Sequence, residues 1–262
     1  MEQVIIPKEK EQNISYINSQ TAKNGYLQEE LVCQDLNNNP IIRNALSKTL
    51  GHDYDECEKI GGTGKSDIKS KNDVLKAQIK KCKKGQFQQL DRHNLNHVIE
   101  HIPQLTEASQ ILKDLCEYPL LPNQTHVDKS FKLKKLNSSN YTPEELDNFF
   151  KILNNNVEHI LEYAFLGQDE ENQPEYVIAV QYTKDNKRDT ITAFKIQDAI
   201  KYLKTLRFKV SPRKTGIYLG EDGIISLQRK GGDSGKKSSN NMQIKIKPCE
   251  LIDKIPHSKH KL

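Results

Sequence analysis

No two of the five cysteines form a CxxC pair: Cys33, Cys57, Cys82, Cys116 and Cys249 are odd in number and far apart. That distribution argues against a zinc ribbon or a disulfide framework, and for reduced thiols in a cytosolic protein. Long apolar runs are missing too. No segment approaches membrane-spanning length, and MEQVIIPKEKEQ at the N-terminus has neither the apolar core nor the small-residue cleavage site of a signal peptide. A soluble intracellular chain with no membrane partner is expected. Internal repeats are absent, and only the loop GGDSGKKSSNN borders on low complexity.

A complete phosphate-cradling loop is also lacking, although residues 61 to 66 read GGTGKS. The NTPase pattern GxxxxGK(S/T) needs glycine where Lys59 stands, an apolar strand before it and a helix after it. Here DYDECEK precedes and an alternating, hairpin-like segment follows. The nucleotide-binding reading fails on both flanks.

What is present is polar but foldable: 262 residues, 35% apolar and 29% charged, sufficient for one sizeable core. Lysine and arginine number 40 against 35 acidic residues, a formal net charge of +5. The cations cluster in Lys80-Lys81-Cys82-Lys83-Lys84, in Lys132-Leu133-Lys134-Lys135 and between Arg229 and Lys247, a distribution that suits a polyanion. The same lysines would serve equally as a solvated surface.

Periodicity predicts an amphipathic helix over 19–36, stopped by Asn37-Asn38-Asn39-Pro40, and a second short helix from Ile41 to Leu50. Ser66 to Lys69 and Val74 to Lys80 read as a hairpin turning at Ser70-Lys71-Asn72-Asp73. Phe87, Leu90, Leu95, Val98 and Ile102 recur with helical period, and a helix opens at Tyr141-Thr142-Pro143. In the last third, strands are expected over Tyr176–Gln181, Thr190–Phe194, Ile224–Gln228 and Met242–Ile246, with a helix from Gln197 to Leu206. This mixture implies an α/β fold with a mixed sheet flanked by helices. Phe149, Phe150, Tyr163 and Phe165 read as core.

The hairpin carries the chemistry. Side chains alternate along a strand, so Gln78 and Lys80 share one face while Ile79 takes the other. If Asp67 meets them from the neighbouring arm, a carboxylate, a carboxamide oxygen and an ammonium converge. Asp67, Gln78 and the Ile79 carbonyl could hold a hard cation such as Mg2+, which polarises a phosphate and acidifies a bound water, while Lys80 stabilises developing negative charge. His93, His97 and His101 fall four apart but lack the further ligand of a helical zinc site, and read as phosphate contacts or packing.

Three collinear blocks make the chain resemble the PD-(D/E)XK nuclease superfamily in its SD…QxK variant, and within it the small type II restriction endonucleases that cut GCGC after the first G. The blocks are Thr21-Ala22-Lys23-Asn24-Gly25-Tyr26 with Glu29, then Lys65-Ser66-Asp67 through Gln78-Ile79-Lys80 to His93, and finally Gln228-Arg229-Lys230-Gly231-Gly232-Asp233 with Met242–Ile246.

The resemblance implies a single restriction endonuclease domain over 1–262, with a catalytic core at about 19–103 and DNA-recognition strands and loop at about 211–253. It implies Asp67, Gln78 and Lys80 as catalytic residues, Glu29 as an added metal ligand, and Phe87 and Gln89 as wedges in the DNA. Ser66, His93, Gln228, Arg229, Lys230 and Asp233 become DNA contacts, the arginine and lysine suited to guanine edges. The implied partners are double-stranded DNA and, genetically, a cognate methyltransferase; a palindromic site invites a homodimer, and monomers that nick each strand in turn are equally compatible. Two other readings keep the same residues: a less specific nuclease in repair or phage defence, and a DNA-binding protein with a dead site. The chain departs from the pattern in a shorter connection between Asp67 and Gln78, a divergent middle from about Lys113 to Glu175, and the absence of tryptophan.

Overall fold

The computed structural model describes residues 25–60, 65–185 and 187–261. The expected helix start at 19–24, the block Thr21 to Asn24 and the segment 61–64 lie outside the described residues. Helix α1 covers 25–38 and buries Val32 and Leu36, whereas Tyr26 and Leu27 in its first turn are exposed. The Asn-Pro pair that ends α1 also begins α2 (Pro40–Leu50): the Asn39 side chain accepts from the Ile41 and Ile42 amides. Gly51, at φ 81°, closes α2 in the left-handed region and returns its N–H to the Ser47 carbonyl.

The first sheet runs in the order β1 (Cys57–Lys59), β2 (Ile68–Ser70), β3 (Lys76–Cys82), β5 (Tyr176–Tyr182), β6 (Arg188–Lys195), β11 (Ser258–Lys261). Strands β2 and β3 form the expected antiparallel hairpin, and β3 then pairs in parallel with β5, Gln78 opposite Val177 and Lys80 opposite Ala179. Its other neighbours pair antiparallel, so the sheet is mixed. The second sheet, wholly antiparallel, runs β4 (Gln88–His93), β10 (Met242–Ile246), β9 (Ile225–Arg229), β8 (Gly216–Leu219), β7 (Phe208–Val210).

Helices α3 (Leu95–His101), α4 (Ser109–Cys116), α5 (Pro143–Asn155) and α6 (Val157–Leu166) connect β4 to β5, and α7 (Ile196–Leu203) follows β6. A capping box between Thr142 and Glu145 starts α5. Phe149, Tyr163 and Phe165 are buried, with Phe150 packed against the same core.

Two hydrophobic clusters lie on opposite faces of the first sheet. One joins α1 and α2 to Ala77, Ile79, Ile178 and Val180; the other joins Cys82, Val177 and Ala179 to α3–α7 and the second sheet. Strand alternation in β3 and β5 produces this division directly.

Two expectations are corrected. Phe87 to Ile102 is not one helix: Gln88–His93 is a strand, and only Leu95–His101 is helical, capped by the Asn94 side chain on the His97 amide. Pairing with β10 decides the matter, in a register that shifts between Ile244 and Lys245. The thiols are also not all reduced. Cys82 at the end of β3 is disulfide-bonded to Cys249 in α8 (Pro248–Ile252), across 167 residues that no spacing argument spans, while Cys33, Cys57 and Cys116 are free and buried. No helix among the described residues is long and apolar enough to cross a membrane.

Candidate active site

Asp67 lies just ahead of β2 and is fixed by the backbone on both sides. Its N–H donates to the Ala77 carbonyl at 2.8 Å, and its Oδ2 accepts the Ile79 N–H at 2.6 Å. The carboxylate therefore sits across the strand that carries Gln78 and Lys80, as the hairpin geometry predicts. Gln78 is 1% exposed; its Nε2 donates to the Phe165 carbonyl of α6 at 2.7 Å, which turns the amide. Its Oε1 is buried and has no hydrogen-bond partner. A buried carbonyl oxygen without a donor is costly in a native fold and marks a place for an unseen electropositive group.

Glu29 of α1 reaches the same neighbourhood. Burial raises its pKa, the Asp67 carboxylate raises it further, and Lys59 and Lys80 pull it back. Lys59 holds Glu29 at 3.5 Å and lies 3.9 Å over the Tyr26 ring. Asp67 and Glu29, which sense each other, and the unpartnered amide oxygen of Gln78 are all hard oxygen donors of the kind that suits Mg2+. Among the described residues no group of three or more His, Cys, Asp and Glu could hold a metal. A site here depends on the amide and the backbone as much as on the carboxylates.

Other expected contacts are dispersed. Ser66 is 4% exposed and donates its hydroxyl to the Asn172 carbonyl at 2.8 Å, which positions the loop that carries Asp67. Arg229 turns toward α4: its guanidinium lies 4.4 Å from the Tyr118 ring and donates to Ser239 Oγ at 2.6 Å, and burial lowers its pKa. It braces the 231–241 loop. Lys230 pairs with Asp233, whose other partner is the Ser238 hydroxyl. Burial opposes the Asp233 carboxylate, yet these two partners outweigh it and hold its pKa below the usual range. Phe87 is half-buried against Tyr218, ring centroids 5.9 Å apart, with the Lys247 ammonium 4.9 Å from its ring. His93 stacks on His97 at 4.1 Å and meets Asp91 at 3.1 Å.

Gln228 and Gln89 belong to one polar face of the second sheet. Arg92, Gln243 and Gln228 are cross-strand partners in one row, and Gln89, Lys245, Ser226 and Tyr218 in the next. Gln243 Nε2 donates to Gln89 Oε1 at 3.1 Å. Sequence reasoning missed Arg92, Gln243 and Lys245, although the period-two alternation of MQIKI carries the signal for the last two. It also missed Lys59, which only the return of β1 to α1 brings to Glu29, and Asp91, whose buried carboxylate takes Lys65 at 2.5 Å.

Residues 65–252 match the profile of a family described as R.HinP1I restriction endonuclease. Among solved structures, restriction endonuclease MspI in complex with its cognate DNA aligns with a TM-score of 0.54 at 15% identity, over 84% of this chain and 88% of that one. At that identity the likeness is one of fold. An 85-residue segment is 40% identical to outer dynein arm-docking complex subunit 2 of Bos taurus; it covers 31% of this chain and spans 8% of that protein's length.

Proposed function

Since this chain belongs to the R.HinP1I restriction endonuclease family, and is thereby a type II site-specific deoxyribonuclease, we propose that it cuts double-stranded DNA at GCGC after the first G. The reaction is Mg2+-dependent hydrolysis leaving 5′-phosphate ends, in a cytoplasmic restriction-modification pair with a cognate methyltransferase. The observation that carries this reading is the partnerless buried Oε1 of Gln78, on the strand that Asp67 grips at Ala77 and Ile79. A bound divalent cation supplies polarisation of the scissile phosphate and a water of lowered pKa.

The chain's own residues do the rest. Asp67, Gln78, Glu29 and the Ile79 carbonyl hold the cation, and the Ile79 N–H fixes the rotation of the Asp67 carboxylate. Lys80, on the same face of β3 as Gln78, places its ammonium against the phosphate oxygens, where negative charge grows. Lys59 opposes the rise that burial and the Asp67 carboxylate impose on the Glu29 pKa. Gln89 and Gln228 face the base edges, Phe87 serves as a wedge once released from Tyr218, and Lys230 and His93 contact phosphate or guanine.

Digestion of unmethylated DNA of known sequence with Mg2+, followed by sequencing of the ends, tests this. Discrete ends at GCGC are expected. Discrete ends at another short site would move the specificity, a smear would favour a less specific nuclease, and binding without cleavage in any divalent metal would leave a DNA-binding protein. Asp67→Ala, Gln78→Ala and Lys80→Ala should each lower kcat about 100-fold or more while DNA binding persists. Wild-type turnover in any of the three would remove that residue from the site.

A further inference from the structure

A groove of about 920 Å³ is bounded by the segment 129–135 on one side and the turn 211–215 between β7 and β8 on the other. Tyr218 and Gln228 line it from the polar face of the second sheet, and Phe87 stands at its border. Its cations are Lys129, Lys132, Lys134, Lys135, Arg213 and Arg229, and no lining residue is a carboxylate. Lys134 is held by Asp114 at 2.8 Å, and Arg229 is stacked on Tyr118. The remaining four are exposed and have no ionic partner among the described residues. Between them Phe131 presents an aromatic ring that is 46% exposed.

Unpaired cations crowded along one concavity repel one another at physiological ionic strength, where screening extends over roughly 8 Å. A polyanion relieves that repulsion and releases its own counterions on binding, so the arrangement fits a phosphodiester strand. An ordinary solvated lysine surface would be convex and interleaved with carboxylates; this one is concave and has none. The groove also begins at Gln228 and Phe87, a base-facing residue and the wedge, so a duplex seated there continues into it.

We propose that this groove binds the sugar–phosphate backbone of duplex DNA flanking the recognition sequence, with Lys129, Lys132, Lys135 and Arg213 on phosphates and Phe131 against the sugars. The inference rests on the endonuclease reading and adds to it a flank-binding surface distinct from the cleavage site. These cations set how tightly the enzyme holds a long duplex without choosing where it cuts.

The test compares two duplexes, one barely longer than GCGC and one extended by about two helical turns, for wild type and for Lys129→Ala/Lys132→Ala/Lys135→Ala. Wild type should bind the longer duplex more tightly and with the steeper salt dependence. The triple variant should lose most of that advantage and about one unit of the log Kd against log salt slope per cation removed, with kcat on the short duplex and the cut position unchanged. The charge-conserving variant Lys129→Arg/Lys132→Arg/Lys135→Arg should restore the slope, which a packing role would not. Equal slopes and equal flank dependence in wild type and triple variant, with cleavage intact, would overturn the groove alone. A wild type that neither binds nor cuts duplex DNA would overturn the endonuclease reading and this inference with it.

Discussion

His97 is the middle ring of a stack, with His93 at 4.1 Å and His101 at 4.2 Å, and its Nδ1 lies 2.9 Å from the Tyr163 hydroxyl. Burial lowers its pKa from 6.5, His93 and His101 lower it further, and Asp91 and Glu100 oppose them. A base whose native pKa lies below its unfolded value carries fewer protons folded than unfolded between the two values. Stability is then complete above about pH 6.5 and falls as pH drops toward the native pKa. Melting temperature should decline on acidification across that window, and His97→Gln should flatten the decline; an unchanged slope in that variant would assign the titration elsewhere. The spacing of the three histidines is plain in the sequence. What it hides is that His93 ends a strand, so the stack closes the corner between β4 and α3 and is not a stripe along one helix.

Strand β3 shows at the element scale which parts of the fold are legible. Its hairpin with β2 could be read because a turn cluster separates two alternating segments, and that reading alone brings Asp67 to Gln78 and Lys80. Strand β4 could not: QQLDRH has no alternation, and its pairing comes from β10, about 150 residues downstream. The tie from Cys82 of β3 to Cys249 of α8 was equally invisible, since it depends on two segments distant in sequence meeting with Cα atoms 5.3 Å apart. Closing so long a loop restricts the unfolded chain, and Cys249→Ser should cost about 2–5 kcal/mol of stability. Urea unfolding with and without a reducing dithiol checks this. The wild type should lose stability on reduction and the variant should not respond; a wild type indifferent to the dithiol would show that the bond contributes nothing in solution.

Across the whole molecule, the lysine of the Gly-Lys-Ser sequence is structural. Lys65 Nζ donates to Asp91 Oδ1 at 2.5 Å, to the Leu90 carbonyl at 2.9 Å and to the Ala164 carbonyl at 3.2 Å. Those three bonds use all three ammonium protons. They tie the loop that carries Asp67 to β4 of the second sheet and to α6 between them. Gly167, at φ +73°, leaves room for the lysine stem: a Cβ there would come within 2.4 Å of Lys65 Cγ. Burial lowers the Lys65 pKa and Asp91 resists the shift, so the ammonium depends on its partner. Asp91→Ala should therefore destabilise the fold by about 3–5 kcal/mol, because it strands a buried charge. Lys65→Met/Asp91→Leu, which removes both charges, should recover much of that loss. If this junction also places Asp67, the double variant will fold and bind DNA yet cleave slowly, through a lower kcat at an unchanged KM. Stability and kcat both at wild-type values in the double variant would confine Lys65 and Asp91 to packing; restored stability with depressed kcat would show that this junction places the hairpin that carries Asp67, Gln78 and Lys80.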